Sequence, residues 1–260
     1  MNLKDSFQSS KEKEISDAFL KDGYYIFKLE DNEALDHLKS KLIDSILGTE
    51  ELEKIHLSTS TSDINKVRLA SISKINSSRD FSPSLYHLAK PVLDILVGNE
   101  LVMQRTVNLS IQMPNDDSSL LPIHTDVWSG NSPYEVVLWL PFVNCSKTNS
   151  MFILPREKSL SVLENYSEYK DLTTEEFFKR VESDLLFLDV PYGSAVIFSH
   201  TLFHGNRTNS EPDTRVSINV RFKSVLSPYG SKGLGESFRP ISLKPATQIG
   251  LDYQDRNNSL

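Results

Sequence analysis

Leu121-Pro122-Ile123-His124-Thr125-Asp126-Val127-Trp128 sets an imidazole and a carboxylate two residues apart. In an extended chain, residues i and i+2 point to the same face. One short strand can therefore offer a nitrogen and a carboxylate oxygen to a single metal ion. The stretch also sits among segments whose hydrophobic period is two, and that surrounding pattern decides the fold.

Working outward, Leu101–Met113 carries Val107, Leu109, Ile111 and Met113 on one face and Asn108, Ser110 and Gln112 on the other. An apolar back and an uncharged polar front suit either the wall of a polar cavity or a solvent-facing sheet. Asn115-Asp116-Asp117-Ser118-Ser119 is a loop, and its acidic pair reads as solvated. Downstream, Glu135–Val143 is a strong strand and Met151–Leu154 another, ended by Pro155. Thr173–Val181 reads as a short helix or an inserted loop. Leu185–Leu188 and Ser194–Phe198 are strands parted by the turn signal Asp189-Val190-Pro191-Tyr192-Gly193. Residues 198–222 read as strand, turn and strand.

The first 99 residues have a different period. Ile15, Phe19 and Leu20 mark an early helix ended by Gly23, and Tyr24–Phe27 is a short strand. Asp31 is the expected N-cap of a helix over 33–47 with the stripe Leu35, Leu38, Leu42, Ile43 and Ile46, stopped at Gly48. Residues 49–80 are polar and weakly periodic, a surface loop or a mobile lid with a short helix near 63–70. A further helix follows Pro83, with Leu85, Leu88, Leu93 and Leu96 inward. Helices first, then roughly eight short strands, predict a mainly β chain. The expected architecture is one domain over residues 1–260. It has a helical support at 1–99, a double-stranded β-helix (jelly-roll) core at 100–225 and a C-terminal wrap at 226–260.

His124 and Asp126 make up two-thirds of the facial triad that holds non-haem Fe(II) and leaves three positions open. The third donor is sought in Phe198-Ser199-His200-Thr201-Leu202-Phe203-His204-Gly205-Asn206. Arg215 follows His204 by eleven residues and opens the alternating strand Arg215–Phe222. With a hairpin turn at Asn209–Asp213, His204 faces residues 217–218, and Arg215 falls roughly 7 Å along the partner strand. That gap suits a small dicarboxylate held between a metal and a guanidinium, whose planar fork meets a carboxylate through two hydrogen bonds. His200 is an alternative ligand, with Arg221 as its hairpin partner, and His204 is preferred for its neighbour Gly205 and its spacing to Arg215. Arg221 shares a face with Arg215, Ser217 and Asn219, where it could hold an anionic substrate group or pair with a carboxylate. Trp128 could stack on a substrate at the site mouth, whereas Trp139 reads as core.

Composition narrows the function classes. A net charge of −7 with no long Lys/Arg cluster argues against a nucleic-acid partner. Cys145 is the only cysteine, which fits a reducing cytoplasm better than a disulfide-stapled secreted fold, and it reads as a small buried residue. The N-terminus lacks a signal-peptide core, and no apolar run approaches the ~20 residues of a membrane span.

Taken together, His124-x-Asp126, His204 and Arg215 resemble the Fe(II)/2-oxoglutarate dioxygenases, specifically the phytanoyl-CoA-hydroxylase-like branch. Within it, the chain is similar to the bacterial oxygenases of sporadic carbohydrate-biosynthesis clusters. The motifs are His124–Gly130, Val137–Phe142, Phe198–Asn206 and Arg215–Phe222, so the likeness covers about residues 100–225. The resemblance implies a cupin-like core, an iron held by His124, Asp126 and His204, and 2-oxoglutarate held by Arg215. It adds Asn206 near the cosubstrate and Gln112 as a further candidate. It also implies O2-dependent oxidation of a substrate C–H bond, by hydroxylation, desaturation or ring closure, with formation of succinate and CO2. The substrate class it suggests is a carbohydrate. The same strand pattern leaves a non-redox jelly-roll sugar isomerase or a carbohydrate-binding module open.

Overall fold

Ser9 and Glu12 form a reciprocal capping box that starts helix α1 (Ser10–Asp22), and Gly23 ends it at φ 79°, a left-handed conformation that glycine adopts without strain. The computed structural model describes residues 7–46 and 51–257. Strand β1 (Tyr24–Lys28) leads to α2 (Asn32–Ser45), whose first turn is capped by Asp31 and whose Leu35, Leu38 and Leu42 are buried. The stop expected at Gly48 lies outside the described residues. Leu20, expected inward, faces solvent instead at 65% exposure, and Ile15 and Phe19 carry the packing of α1.

Residues 51–80 are not an open loop. Leu52–Leu57 is a short helical turn, and α3 (Ile64–Ser77) is longer than the expected helix. Leu52, Ile55, Ile64 and Ile75 are buried. Asn76 on α3 bonds both backbone groups of Val107, at 2.8 and 2.9 Å, which fastens this helix to the sheet. Helix α4 (Phe81–Leu96) takes Pro83 in its first turn and also carries Pro91.

The expected strand 101–113 divides into β2 (Leu101–Gln104) and β3 (Asn108–Gln112). Then come β4 (Val136–Pro141), β5 (Phe152–Ile153), α5 (Arg156–Glu164) and α6 (Thr174–Val181). The chain ends with β6 (Leu186–Phe187), β7 (Ser194–Ser199), β8 (His204–Gly205), β9 (Arg215–Ser224), β10 (Phe238–Ser242) and α7 (Pro245–Asn257). Helix α5 starts directly after Pro155, which ends the preceding strand and also precedes a helix. Proline is equally at home just before a helix begins.

Two antiparallel sheets result, as the sequence pattern predicts for a jelly roll with flanking helices. The larger has the order β1-β7-β4-β9-β2-β10, with β3 also paired to β9, and the smaller has the order β6-β5-β8. Strand β9 is the keel of the larger sheet. Its Val216, Ile218, Val220 and Phe222 join the main core with Leu38, Leu42, Phe81 and Leu85. Fully burying such a side chain contributes about 1.5–3 kcal/mol. The back face therefore anchors the strand, and the front face is free to carry Arg215, Ser217, Asn219 and Arg221. A second core of Ile123, Phe152, Leu154, Val162, Phe177, Phe178 and Phe203 lies under the smaller sheet and seats α5 and α6 against it.

The hairpin expected over 198–222 does not form. Strand β7 pairs with β1 and β4, β8 pairs with β5, and β9 pairs with β4, β3 and β2. Residues 206–214 instead cross from the smaller sheet to the larger one. Asn209 shapes that crossing, donating to the carbonyls of Gln112 at 3.3 Å and Asp213 at 2.8 Å. His204 and Arg215 thus belong to different sheets. The alternative pair fails likewise, since Arg221 lies opposite Val137.

Candidate metal centre

His124 and His204 are backbone partners. The amide of His124 donates to the His204 carbonyl at 3.0 Å and the reverse bond measures 2.9 Å. Directly opposed residues on an antiparallel ladder present side chains to one face, and the two rings stand 4.3 Å apart, centre to centre. Each ring is held the same way, by the carbonyl two residues earlier. Nδ1 of His124 is 2.9 Å from Pro122 O, and Nδ1 of His204 is 3.0 Å from Leu202 O. A carbonyl can only accept, so both Nδ1 atoms carry the proton and both Nε2 lone pairs are left for a ligand.

Asp126 reaches the same place by a slightly different route from the one expected. Thr125 is extended (φ −119°, ψ 139°), but Asp126 already begins a one-turn helix, Asp126–Ser129, closed by Gly130 at φ 81°. The single extended residue suffices to put His124 and Asp126 on one side. Thr125 points the other way and donates to the His200 carbonyl at 2.7 Å. One donor atom from each of His124, Asp126 and His204 lies within 4.8 Å of the others, and among the described residues this is the one His/Cys/Asp/Glu group that could hold a metal.

The protonation states suit that role. Burial, with the charge of His124 next to it, lowers the His204 pKa to about 4. Burial alone would raise Asp126, but the charges of His204, Arg221 and His200 outweigh it and hold the carboxyl at about 2. Near neutrality His204 is a free base and Asp126 an anion, the forms a divalent ion binds. Arg221 Nη2 donates to Asp126 Oδ1 at 2.8 Å, and its Nη1 donates to Gln104 at 3.0 Å. The arginine orients the carboxylate and leaves Oδ2 free, 4.0 Å from His204 Nε2.

Gly205 sets the spacing. A Cβ there would stand 2.6 Å from Leu121 O and 2.8 Å from Phe152 Cζ. Gly205→Ala is expected to cost about 1–3 kcal/mol through overpacking and to weaken metal binding by parting the His124–His204 bridge. Urea denaturation and metal titration of the variant check both effects, and wild-type values in both would show that the contact yields without consequence.

The triad opens into a cleft of about 620 Å³ between the sheets. Asn108, Ser110, Asn219 and Asn131 give it a neutral polar wall, and Val137, Trp139, Met151 and Phe198 an apolar one. Arg215 is on this wall too, only 3% exposed. Its Nη2 donates to Ser110 at 3.1 Å, its Nε has no partner, and no described carboxylate lies within ion-pair reach of it. Burial lowers its pKa to about 10. The start of its strand is clamped from below: Thr214 N donates to Glu53 O at 2.8 Å, and the Thr214 hydroxyl meets His56 at 2.8 Å. His56 thus steadies the residue next to Arg215.

Asn206 lines the cleft, but its amide accepts from Leu121 N at 2.6 Å and donates to Ser119 O at 3.2 Å, stapling the segment that leads to His124. Gln112 lies opposite Arg215 on β3, is fully buried and donates to the Arg207 carbonyl, and it is not part of the cleft lining. Trp128 is half exposed and packs edge-on against Phe203 and Tyr166, with ring centres 5.0 and 5.5 Å away. His200 is fully buried outside the cleft, its Nε2 3.7 Å from Asp126 and its Nδ1 3.3 Å from Glu135. Burial pushes the Cys145 thiol up to about 12, so it is no nucleophile. Sequence reasoning missed Arg68 of α3, Asn131 and Lys232, which line the cleft. Asn131 carried a faint signal, since it follows a glycine and donates to the Asp126 carbonyl at 3.0 Å.

No family model matches this chain, and no curated protein matches it. Solved structures do. ThoJ, a non-heme monooxygenase, is similar in its apo form over 88% of this chain and 84% of its own, at TM-score 0.62 and 12% identity. EctD from S. alaskensis with bound Fe matches over 87% and 80%, at TM-score 0.53 and 15% identity. HygX from Streptomyces hygroscopicus, with nickel and 2-oxoglutarate bound, matches over 85% and 89%, at TM-score 0.52 and 11% identity. At these identities the likeness shows a shared jelly-roll fold. No helix among the described residues is long and apolar enough to cross a membrane.

Proposed function

We propose that this protein is an Fe(II)- and 2-oxoglutarate-dependent oxygenase acting on a C–H bond of a small molecule, a sugar or carbohydrate-pathway intermediate. The observation that carries the reading is Arg215. A guanidinium this buried, with one hydroxyl for a partner and no carboxylate, has lost its hydration without recompense. It borders the same cleft as the His124, Asp126 and His204 donors. A dicarboxylate lying between the two would satisfy both ends. A neutral sugar held by an isomerase or a binding module would leave this guanidinium unpaired.

In this reading His124, Asp126 and His204 hold the iron, and Arg221 with Gln104 keeps the Asp126 carboxylate in line. Arg215 fixes the far carboxylate of 2-oxoglutarate through its planar fork. Iron, 2-oxoglutarate and O2 together supply the oxidising power, with succinate and CO2 as coproducts. Trp139, Met151, Val137 and Phe198 exclude water from the reacting end. Asn108, Asn131 and Asn219 offer neutral amides matched to sugar hydroxyls. Succinate release measured with Fe(II), 2-oxoglutarate and a panel of free, phosphorylated and nucleotide-linked sugars tests the assignment. Release that depends on iron and rises with one sugar is expected. An iron-loaded protein that never consumes 2-oxoglutarate, while isomerising or merely binding a sugar, would replace this reading.

A further inference from the structure

The cleft is cationic in a chain that is anionic overall. Its wall carries Arg68, Arg215, Arg221 and Lys232 against Asp126 as its only carboxylate, whereas the whole chain has a net charge of −7. Asp126 neutralises Arg221. Arg215 is assigned above to the cosubstrate, and iron and 2-oxoglutarate bring charges that cancel. Arg68 and Lys232 remain. Neither has a carboxylate within ion-pair distance among the described residues, and the only side-chain bond made by Arg68 is to Asn65, at 2.6 Å.

Lys232 is also held in place by its loop. Ser231 N donates to Gly130 O at 3.0 Å, and the Ser132 hydroxyl donates to Pro228 O at 2.6 Å. A Cβ at Gly230 would stand 2.3 Å from the Gly130 oxygen, so the two loops approach as closely as a glycine permits. On the other side, Ser237 N donates to Gly233 O at 3.1 Å. The loop is therefore sewn to the turn that follows Asp126, with Lys232 half-buried at its crest. A second hollow of about 280 Å³ begins there and shares Asn131, Arg221 and Lys232 with the main cleft. It is further lined by Arg105 and by one acidic residue, Glu236, which does not pair with Lys232.

We propose that Lys232 binds an anionic substituent of the substrate, a phosphate or carboxylate, at the junction of the two hollows. The inference rests on the oxygenase reading for the word substrate, but binding of the anion requires neither iron nor 2-oxoglutarate.

Isothermal titration of the metal-free protein with glucose 1-phosphate, glucuronate and methyl glucoside tests it. One or both anionic probes are expected to bind more tightly than the neutral one, and the stronger of the two identifies the substituent. Lys232→Met should weaken that probe by about tenfold or more, as for a lost hydrogen bond to a charged group. Lys232→Arg should retain most of the binding, and Arg215→Leu should leave it unchanged. Equal binding of methyl glucoside, no binding of either anion at millimolar concentration, or indifference to Lys232→Met would overturn the proposal. Loss in Arg215→Leu alone would place the anion in the cosubstrate's position and overturn it as well. Thermal melts of each variant separate these effects from misfolding. A Lys232 effect in a protein that binds no iron would discard the oxygenase reading and leave the anion site standing.

Discussion

Arg215→Leu is expected to leave the unliganded fold as stable as the wild type, or more so, while nearly abolishing 2-oxoglutarate binding. The two effects have opposite causes. Without a ligand, the Arg215 guanidinium is a buried charge with a single hydroxyl partner. Replacing such a group by an apolar side chain is often neutral or stabilising. With 2-oxoglutarate present, the same guanidinium becomes one half of a desolvated ion pair. Losing one partner of such a pair costs about 2–5 kcal/mol, on the order of 30- to 5,000-fold in affinity. Iron binding should be untouched. Arg215→Lys separates charge from geometry, because a lysine keeps the positive charge but not the fork, and it should fall between the two. Urea denaturation with calorimetric titration of 2-oxoglutarate into the metal-loaded protein reads both effects. A strongly destabilised variant with normal cosubstrate affinity would make Arg215 a structural residue.

Asp126→Ala has the largest expected effect on the metal. Disturbing only the groups that orient a ligand already costs about 10- to 100-fold in metal affinity, and removing the one anionic donor should exceed that. It also strands Arg221, whose charge is then balanced by nothing in the cleft. Breaking a buried pair in this way destabilises by about 3–5 kcal/mol, and the part-exposed Arg221 should recover some of that loss from solvent. Asp126→Asn distinguishes the two consequences. Its carbonyl can still accept from Arg221, so the fold should be spared while iron affinity falls. Equilibrium dialysis against Fe(II) under anaerobic conditions, beside thermal melts, checks the pair. Iron retained at wild-type affinity by both variants would remove Asp126 from the site.

Much of this arrangement is legible in the sequence wherever one face of an element is buried. Strand β9 alternates because its back packs on the helices and its front lines a cleft, so period two is forced on it. Helix α2 announces itself through Asp31 and the Leu35, Leu38 and Leu42 stripe. Helix α3 is quieter. Its buried Ile64, Ser71 and Ile75 are diluted by serines, asparagines and lysines, and the helix is held in part by Asn76, which no hydrophobic pattern marks.

The site divides in the same way. The His-x-Asp pair is local, so its geometry follows from one extended residue, Thr125. The approach of His204 to Arg215 is not local. Sequence spacing suggested a hairpin, but the connection changes sheets, and the two residues border the cleft from opposite layers. Both residues line one cleft for a reason that the spacing does not contain. Lys232 was illegible, because its position depends on backbone bonds between two irregular loops, which leave no periodic trace.

The most direct measurement is an anaerobic titration of the metal-free protein with Fe(II) and then 2-oxoglutarate, followed by visible absorbance. A weak charge-transfer band that needs both additions, disappears in Asp126→Ala and requires far more 2-oxoglutarate in Arg215→Leu is the predicted result. A wild-type protein that binds iron yet shows no band at saturating 2-oxoglutarate, or a band indifferent to Asp126→Ala, would contradict chelation of the cosubstrate at His124, Asp126 and His204.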